Sequence, residues 1–238
     1  MVAARPLSNS ERLDWLRLTR SENVGPITFM ELLDRYGSAA QALDELPALA
    51  RSGGSKRAIK LCSKSAAERE IKVLAELGGR FLACREPGYP VPLAALADAP
   101  PLIAIRGHGH LLESDIVATV GARNASANGV RFARQLASDL VTAGFAVVSG
   151  MARGIDTAAH NGALETSTLA VMGGGVDMVY PKQNAALYKE IVARGVVIGE
   201  PPLGTVPQAP LSAPQQNHFR PRARCRRRRG SAAIRLAH

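Results

Sequence analysis

Three glycine-rich segments in the second half of the chain have the composition of an anion-binding site. They occupy residues 121–123, 149–154 and 173–175, and the first two contain Arg123 and Arg153. Glycine lets a backbone come close to a ligand, and free amides at a helix N-terminus favour anions. Arginine adds a fixed positive charge whose planar fork matches a phosphate. We therefore expect a phosphate-lined crevice, the alternative being that the glycines only serve tight strand-to-helix turns.

Motifs that the sequence lacks narrow the type of phosphate ligand. There is no GxxxxGK[ST], which argues against a P-loop nucleoside triphosphatase, and no GxGxxG after the first strand of the sheet, which argues against a Rossmann dinucleotide site. Asp156 and His160 lie four residues apart on one predicted helix face, as in a general-base pair. No nucleophile motif accompanies them, so we predict that the protein is not an enzyme; Asp156 is equally suited to capping the helix.

The elements that position these segments alternate between strand and helix. Apolar stretches typical of buried strands lie at 116–120, 145–148, 168–172 and 196–198, and predicted helices follow at 126–143, 155–164 and 183–194. This alternation predicts an α/β fold with a Rossmann-like, doubly wound parallel sheet. Each glycine-rich segment follows a strand, so all three are expected at the carboxyl edge of the sheet, where such folds bind ligands.

The first third of the chain is predicted to be a small helical module. Residues 9–77 have helical patterning, interrupted by a Gly/Ser loop at 51–55 and closed by Gly78-Gly79. The turn Val24-Gly25-Pro26 resembles a helix-hairpin-helix, whose amides can approach DNA phosphates; the other interpretation is a packing or docking role. Residues 79–115 contain two short apolar runs around a proline-rich segment, which indicates a connector with edge strands.

The net charge of +10 is concentrated in the last part of the chain. Eight of the 30 Lys and Arg residues follow Glu200, whereas all 20 acidic residues lie at or before it, which leaves 22 basic against 20 acidic residues, a net charge of +2. Cys62, Cys84 and Cys225 have no CxxC spacing, so neither zinc nor a redox pair is expected. No apolar run approaches membrane-spanning length and no signal pattern begins the chain, so we expect a cytoplasmic protein without membrane partners.

Several motifs are similar to those of one protein family. They are VGAR at 120–123, SGMARGID at 149–156 followed by AH at 159–160, VMGGGVD at 171–177, YP at 180–181, and PGYP at 87–90. Together they closely resemble the DprA/Smf family of DNA-processing proteins, and the resemblance covers most of residues 10–205. The SGxAxGID…AH string is the most specific of them. Asn128, Ser167 and Gly199 are mild departures from the family pattern.

The resemblance implies a fold, a function and a set of site residues. It implies a SAM-like helical domain before an extended Rossmann-like domain, and a protein that binds and protects single-stranded DNA and loads the RecA recombinase during natural transformation. It implies no cofactor and, in the intact family member, a homodimer. The residues expected to line the DNA pocket, by resemblance or by the crevice argument, are Gly121, Ala122, Arg123, Ser149, Gly150, Ala152, Arg153, Gly154, Asp156, His160, Gly173, Gly174 and Gly175.

The C-terminal stretch departs from the family pattern. The family implies a Phe-Pro-x-Arg-Asn-Arg-Ile-Ile motif and a Val-rich strand, where this chain has an Arg-rich run at 220–229. Codons permitted for these residues restore both features when they are read one base later. We therefore hypothesise a frameshift near residues 209–211, with a genuine nucleic-acid-binding tail as the alternative. The sheet is then expected to lack its later strands and to expose an apolar edge, and dimerisation becomes doubtful.

These observations predict four segments and leave two other functions open. The segments are a SAM-like domain at 1–78, a connector at 79–115, an incomplete Rossmann-like DNA-binding domain at 116–210 and an aberrant, disordered tail at 211–238. One alternative function is a Rossmann-like enzyme that uses Asp156 and His160 on a nucleotide or a phosphorylated sugar. The other is a non-functional truncated fragment.

Overall fold

The computed structural model describes residues 5–52, 57–165 and 167–207 and the backbone of residues 232–235. The chain forms two compact units. The first comprises Met1–Tyr89 and Leu93–Ile103, and the second comprises Pro90–Pro92 and Ala104–His238. Residues 79–115 are divided between the two units. No helix in the described part of the chain is long and apolar enough to cross a membrane.

The first unit contains the helical module predicted for residues 9–77. Its helices are α1 (Asn9–Thr19), α2 (Pro26–Tyr36), α3 (Ala39–Ser52) and α4 (Lys64–Glu76). Ser8 and Glu11 form a capping box that starts α1, and Gly37, with a φ of 77°, ends α2. Trp15 and Phe29 meet edge to face with ring centroids 5.0 Å apart, and both are buried in the core between these helices.

A buried carboxylate and a buried tyrosine organise the end of this unit. Strand β1 (Gly79–Ala83) is followed by Glu86, which accepts hydrogen bonds from the Leu7 and Ala83 amides at 2.8 and 2.7 Å and from Arg12. Tyr89, the tyrosine of the PGYP motif, donates its hydroxyl to the Pro100 carbonyl at 2.8 Å and is buried. The PGYP motif thus contributes to the core of this unit.

The second unit is built on a sheet. Its strands are β2 (Leu102–Gly107), whose first residues belong to the first unit, and β3 (Ile116–Val120), β4 (Ala146–Ser149), β5 (Thr168–Met172), β6 (Val196–Gly199) and β7 (Ala232–Arg235). Their order is β2-β6-β5-β4-β3-β7. The pairs β3–β4, β4–β5, β5–β6 and β3–β7 are parallel, and β2 runs antiparallel to β6. The α/β sheet predicted from the strand–helix alternation is confirmed, with β2 as an added antiparallel strand.

Helices connect the parallel strands in the predicted order. They are α6 (Ala127–Thr142), α7 (Ile155–Ala163) and α8 (Ala185–Arg194), and the short α5 (Val91–Ala94) precedes them in the chain. Helices α6 and α7 approach closely at Gly162, where a Cβ atom would lie 2.1 Å from the Arg134 carbonyl oxygen. Ala137, Val147 and Ala159 are buried together beneath them. Small residues at this contact let the two helices approach each other closely.

One part of the C-terminal tail departs from its predicted disorder. Residues 232–235 form β7, which pairs with the free edge of β3 from Val117 to Val120. An unpaired strand edge presents amide and carbonyl groups that a further strand satisfies, so this pairing covers the edge that was expected to be exposed. The Arg-rich run at 220–229 and the proposed frameshift lie outside the described residues, and both stay predictions.

Candidate functional site

The turns that follow β3 and β4 lie against each other at the carboxyl edge of the sheet. A Cβ atom on Gly121 would lie 2.6 Å from the Ile155 side chain, and one on Gly154, whose φ is +78°, would lie 2.2 Å from the Ala122 carbonyl oxygen. That same carbonyl accepts the Ile155 amide at 3.2 Å. These two glycines therefore permit the close approach of two turns, which is a different use from the approach to a ligand expected from the sequence.

Asp156 lies where the two turns meet. Its carboxylate is 7% exposed, accepts the Ala152 amide at 3.3 Å and lies near the Gly150 and Gly121 amides. A Cβ atom on Gly150 would lie 3.0 Å from its Oδ2 atom. Burial raises the pKa of the Asp156 carboxyl, and the hydrogen bonds from these amides oppose that rise. An internal carboxylate thus occupies the Ala152 amide of the turn before α7, and the Ala122 carbonyl accepts the first amide of the helix, from Ile155, so neither is left for an external phosphate.

A second set of hydrogen bonds holds the β4–α7 turn from the side of α8. Asn184 donates its side-chain amide to the Met151 carbonyl at 2.8 Å and to the Thr157 hydroxyl oxygen at 2.9 Å. The Thr157 hydroxyl in turn donates to the Ala152 carbonyl at 2.8 Å. Met151 has a φ of 60° and a fully buried side chain, so its backbone is held in an unusual conformation. Neither Asn184 nor Thr157 belongs to a motif recognised in the sequence. Asn184 directly precedes α8 and Thr157 lies in α7, and only the fold brings them to the turn.

His160 lies too deep to contact a ligand. Its imidazole is 0% exposed, its Nδ1 atom lies 2.7 Å from the Thr168 hydroxyl oxygen, and its Nε2 atom is buried without a hydrogen-bond partner in the described residues. Burial lowers the pKa of the imidazole to about 4, so the ring is neutral at physiological pH. This corrects the expected place of His160 in the pocket lining. Its side chain lies on the buried face of α7, against Thr168 of β5.

The third glycine-rich turn packs against its own chain. Gly174 and Gly175 are buried, and Cβ atoms there would lie 2.4 Å from the Thr205 carbonyl oxygen and 2.7 Å from the Pro202 carbonyl oxygen. The Gly175 amide donates to the Thr205 carbonyl at 2.9 Å. Only Gly173 of the three is exposed. The chain segment at 202–207 therefore takes the space that Gly174 and Gly175 were expected to offer a ligand.

Arg123 and Arg153 are the predicted site residues with free cationic groups. Both are exposed, and neither makes a hydrogen bond or an ion pair with another described residue. Each extends from one of the two turns that the hydrogen bond between Ile155 and Ala122 joins, so two positive charges lie on a backbone held by internal hydrogen bonds. Ala122 and Ala152 are half-buried, Gly150 is exposed and Ser149 is buried, its hydroxyl donating to the Thr119 carbonyl at 2.7 Å.

The described residues contain no group of three or more His, Cys, Asp or Glu side chains arranged to hold a metal ion. The arrangement is instead suited to an anion larger than one phosphate. Its cations are spread over two turns, and the Ala152 and Ile155 amides between them already have acceptors within the protein.

Two family models match this chain. The model of DNA recombination-mediator protein A matches residues 80–225, and the model of the DprA-like N-terminal HHH domain matches residues 9–73. The second range contains the Val24-Gly25-Pro26 turn, which lies between α1 and α2. DNA contact by that turn stays a prediction.

Relatives with similar sequences are known from several bacteria. Protein Smf of Synechocystis is 31% identical over 214 residues, which cover 85% of this chain and 54% of that protein. The DNA processing protein DprA of Streptococcus pneumoniae is 37% identical over 138 residues, 57% of this chain and 46% of that protein. Protein Smf of Escherichia coli is 36% identical over 134 residues, 55% of this chain and 36% of that protein. The chain thus spans about half the length of these relatives or less.

Solved structures share the fold. The X-ray structure of DNA processing protein A from Streptococcus pneumoniae superposes with a TM-score of 0.62 and 27% identity, covering 84% of this chain and 70% of that one. A structure of DNA processing protein A from Helicobacter pylori, solved to describe its single-stranded DNA binding mode, superposes with a TM-score of 0.51 and 26% identity, covering 56% of this chain and 60% of that one.

Proposed function

Since this chain belongs to the DNA recombination-mediator protein A family, we propose that it is a DNA-processing protein that binds single-stranded DNA at the turns after β3 and β4. The relative from Helicobacter pylori is described as binding single-stranded DNA, which supports this choice of ligand. The proposed ligand is a polymer, and binding needs no cofactor and no chemical step.

One observation carries the proposal. Arg123 and Arg153 are exposed and without partners in the described residues, and they lie on two turns that are held together by the hydrogen bond from the Ile155 amide to the Ala122 carbonyl, with Asp156 accepting the Ala152 amide beside it. A fixed backbone loses little conformational freedom when a ligand binds, so the charge-assisted hydrogen bonds to phosphate are retained as affinity. Two arginines on adjacent turns are suited to successive phosphates of one strand.

The position of Asp156 favours this function over a nucleotide-dependent enzyme. A mononucleotide phosphate would use free amides around the start of α7, but the Ala152 amide of the preceding turn donates to the Asp156 carboxylate at 3.3 Å and the Ile155 amide donates to the Ala122 carbonyl at 3.2 Å. His160 is buried and neutral, so it offers no general base to a substrate. We therefore expect calorimetric titrations with common nucleotides to remain flat.

The test is a double substitution, Arg123→Ala with Arg153→Ala, in the full chain. Anisotropy of a labelled oligothymidylate would be measured at about 200 mM salt, where sequence-independent attraction to basic segments is weakened. Each lost arginine–phosphate contact should cost about 1.5 kcal/mol, so the double variant should bind about a hundredfold more weakly. The matched control is Lys189→Ala with Arg194→Ala, two exposed cations on α8. An equal loss in both double variants would show that net charge, and not this site, determines binding.

The proposal extends to partners that the family resemblance implies. The bound strand would be passed to a RecA-type recombinase in the cytoplasm, and the intact family member would act as a homodimer. Filament formation by such a recombinase on DNA covered by single-strand-binding protein should be faster in the presence of this chain and unchanged with the double arginine variant.

A further inference from the structure

An exposed aromatic side chain lies at the same edge of the sheet as the two arginines. Tyr180 is 46% exposed, and Lys182 after it is also exposed. Both belong to the segment between the end of β5 at Met172 and the start of α8 at Ala185. In parallel α/β sheets such segments lie at the carboxyl edge, so Tyr180 shares that edge with Arg123 and Arg153.

The backbone beside Tyr180 is attached to the turn that carries Arg153. A short 3₁₀ helix, Lys182–Asn184, follows Pro181, and the Asn184 amide donates to the Pro181 carbonyl at 3.0 Å. The Asn184 side chain donates to the Met151 carbonyl at 2.8 Å, within the β4–α7 turn. Through Asn184, hydrogen bonds therefore connect Pro181, the residue next to Tyr180, with that turn. The backbone that carries the tyrosine ring is held beside the turn that carries Arg153.

The exposure of Tyr180 distinguishes it from the other tyrosines. Tyr89 and Tyr188 are buried with hydrogen-bonded hydroxyls, and Tyr36 is half-buried beside the Arg35 guanidinium. The Tyr180 hydroxyl makes no hydrogen bond within the described residues, and nearly half of its surface contacts solvent. Proteins that bind single-stranded nucleic acids combine exposed aromatic rings, on which bases stack, with nearby positive charges, and Tyr180 has both properties.

We propose that Tyr180 forms a base-stacking subsite for single-stranded DNA. The inference rests on the proposed function, since it places one base of the strand on Tyr180 while the strand's phosphates contact Arg123 and Arg153. Lys182 would contact a neighbouring phosphate. The phosphate contacts alone do not distinguish single strands from duplex, whereas an unpaired base is free to stack on an external ring and a base within a duplex is not. Tyr180 would thus supply the preference for single strands.

The experiment compares Tyr180→Ala, Tyr180→Phe and Phe145→Ala in the full chain. Phe145 is a matched control because it is 37% exposed and directly precedes β4, which places it at the opposite, amino edge. Anisotropy would be measured with oligothymidylate, with an abasic strand that has the same number of phosphates, and with duplex DNA. Tyr180→Ala should weaken oligothymidylate binding about tenfold, leaving abasic and duplex binding unchanged. Tyr180→Phe and Phe145→Ala should bind all three ligands as the parent does.

Two results would overturn the proposal. One is that Tyr180→Ala weakens the abasic strand as much as oligothymidylate, which would assign its effect to the backbone of the turn. The other is that the Tyr180→Ala variant binds oligothymidylate as the parent chain does and unfolds at the same midpoint. A failure of the proposed function has a different outcome, in which the double arginine variant also binds oligothymidylate normally.

Discussion

The turns after β4 and β5 are both rich in glycine but differ in what their glycines contact. Both contain glycines at the carboxyl end of a parallel strand, and both were expected to face a ligand. In the first turn, at 149–154, the Ala152 amide donates to the Asp156 carboxylate and the Arg153 side chain is exposed to solvent. The second, at 173–175, is covered by the chain at 202–207. A glycine-rich turn thus indicates a close approach to its backbone, and the approaching group can be the protein's own chain.

The largest effect is expected where two turns meet. Gly154→Ala would combine a φ of +78° with a Cβ atom 2.2 Å from the Ala122 carbonyl oxygen. It should lower the free energy of unfolding by about 4 kcal/mol, as strain and a backbone clash act together. Gly144→Ala is the matched control, because Gly144 has a φ of +89° with nothing within 4 Å, and it should cost about 1 kcal/mol. Similar losses in denaturant unfolding would mean that the two turns are not in contact.

A pH titration tests the support beneath the first turn. The folded-state pKa of His160, about 4, lies below its ordinary value of 6.5, so the unfolded chain binds a proton at a pH where the folded chain does not. His160 therefore stabilises the fold fully above pH 6.5, and about 3 kcal/mol should be lost as the pH falls to 4. Denaturant unfolding at several pH values measures this loss. His160→Gln, which has no imidazole, should lose less over the same range; an equal slope would assign the titration to other groups.

The smallest loss of stability is expected from alanine substitutions in the second turn, and it should differ between two neighbouring glycines. A Cβ atom on Gly174 would lie 2.4 Å from the Thr205 carbonyl oxygen, whereas one on Gly173 would be 4.0 Å from its nearest neighbour, Pro207. Gly174→Ala should cost about 2 kcal/mol of unfolding free energy and Gly173→Ala less than about 0.5 kcal/mol. Single-stranded DNA affinity of the folded Gly173→Ala variant should be unchanged. A marked loss of DNA affinity in Gly173→Ala would indicate that this turn contacts the DNA.

Much of the fold could be predicted from local sequence pattern. The predicted bounds of the strands at 116–120 and 168–172 are those of β3 and β5, and the helix predicted at 155–164 is α7. Apolar runs, helix spacing and glycine turns are local properties, so a single sequence contains them. The pairing of β7 with β3 could not be predicted, because it joins residues more than one hundred positions apart through backbone groups that every residue has.

The positions of the candidate site residues could be predicted in part. Arg123 and Arg153 could be singled out because residue type and place after a strand decide their exposure. The roles of Asp156 and His160 could not, since one helix presents both residues and only their surroundings distinguish them. The role of Asn184 could not be predicted, because its partner, the Met151 carbonyl, is 33 residues away in the sequence.

The sequence by itself determined the order of strands and helices, the family and the edge at which the glycine-rich turns and their arginines lie. Only the tertiary structure decided what each turn faces. Secondary structure follows from periodic patterns of neighbouring residues, whereas the direction of a carboxylate or the space beside a glycine depends on atoms brought from distant parts of the chain. For that reason the same glycine-rich pattern presents an arginine after β4 and is covered by the chain after β5.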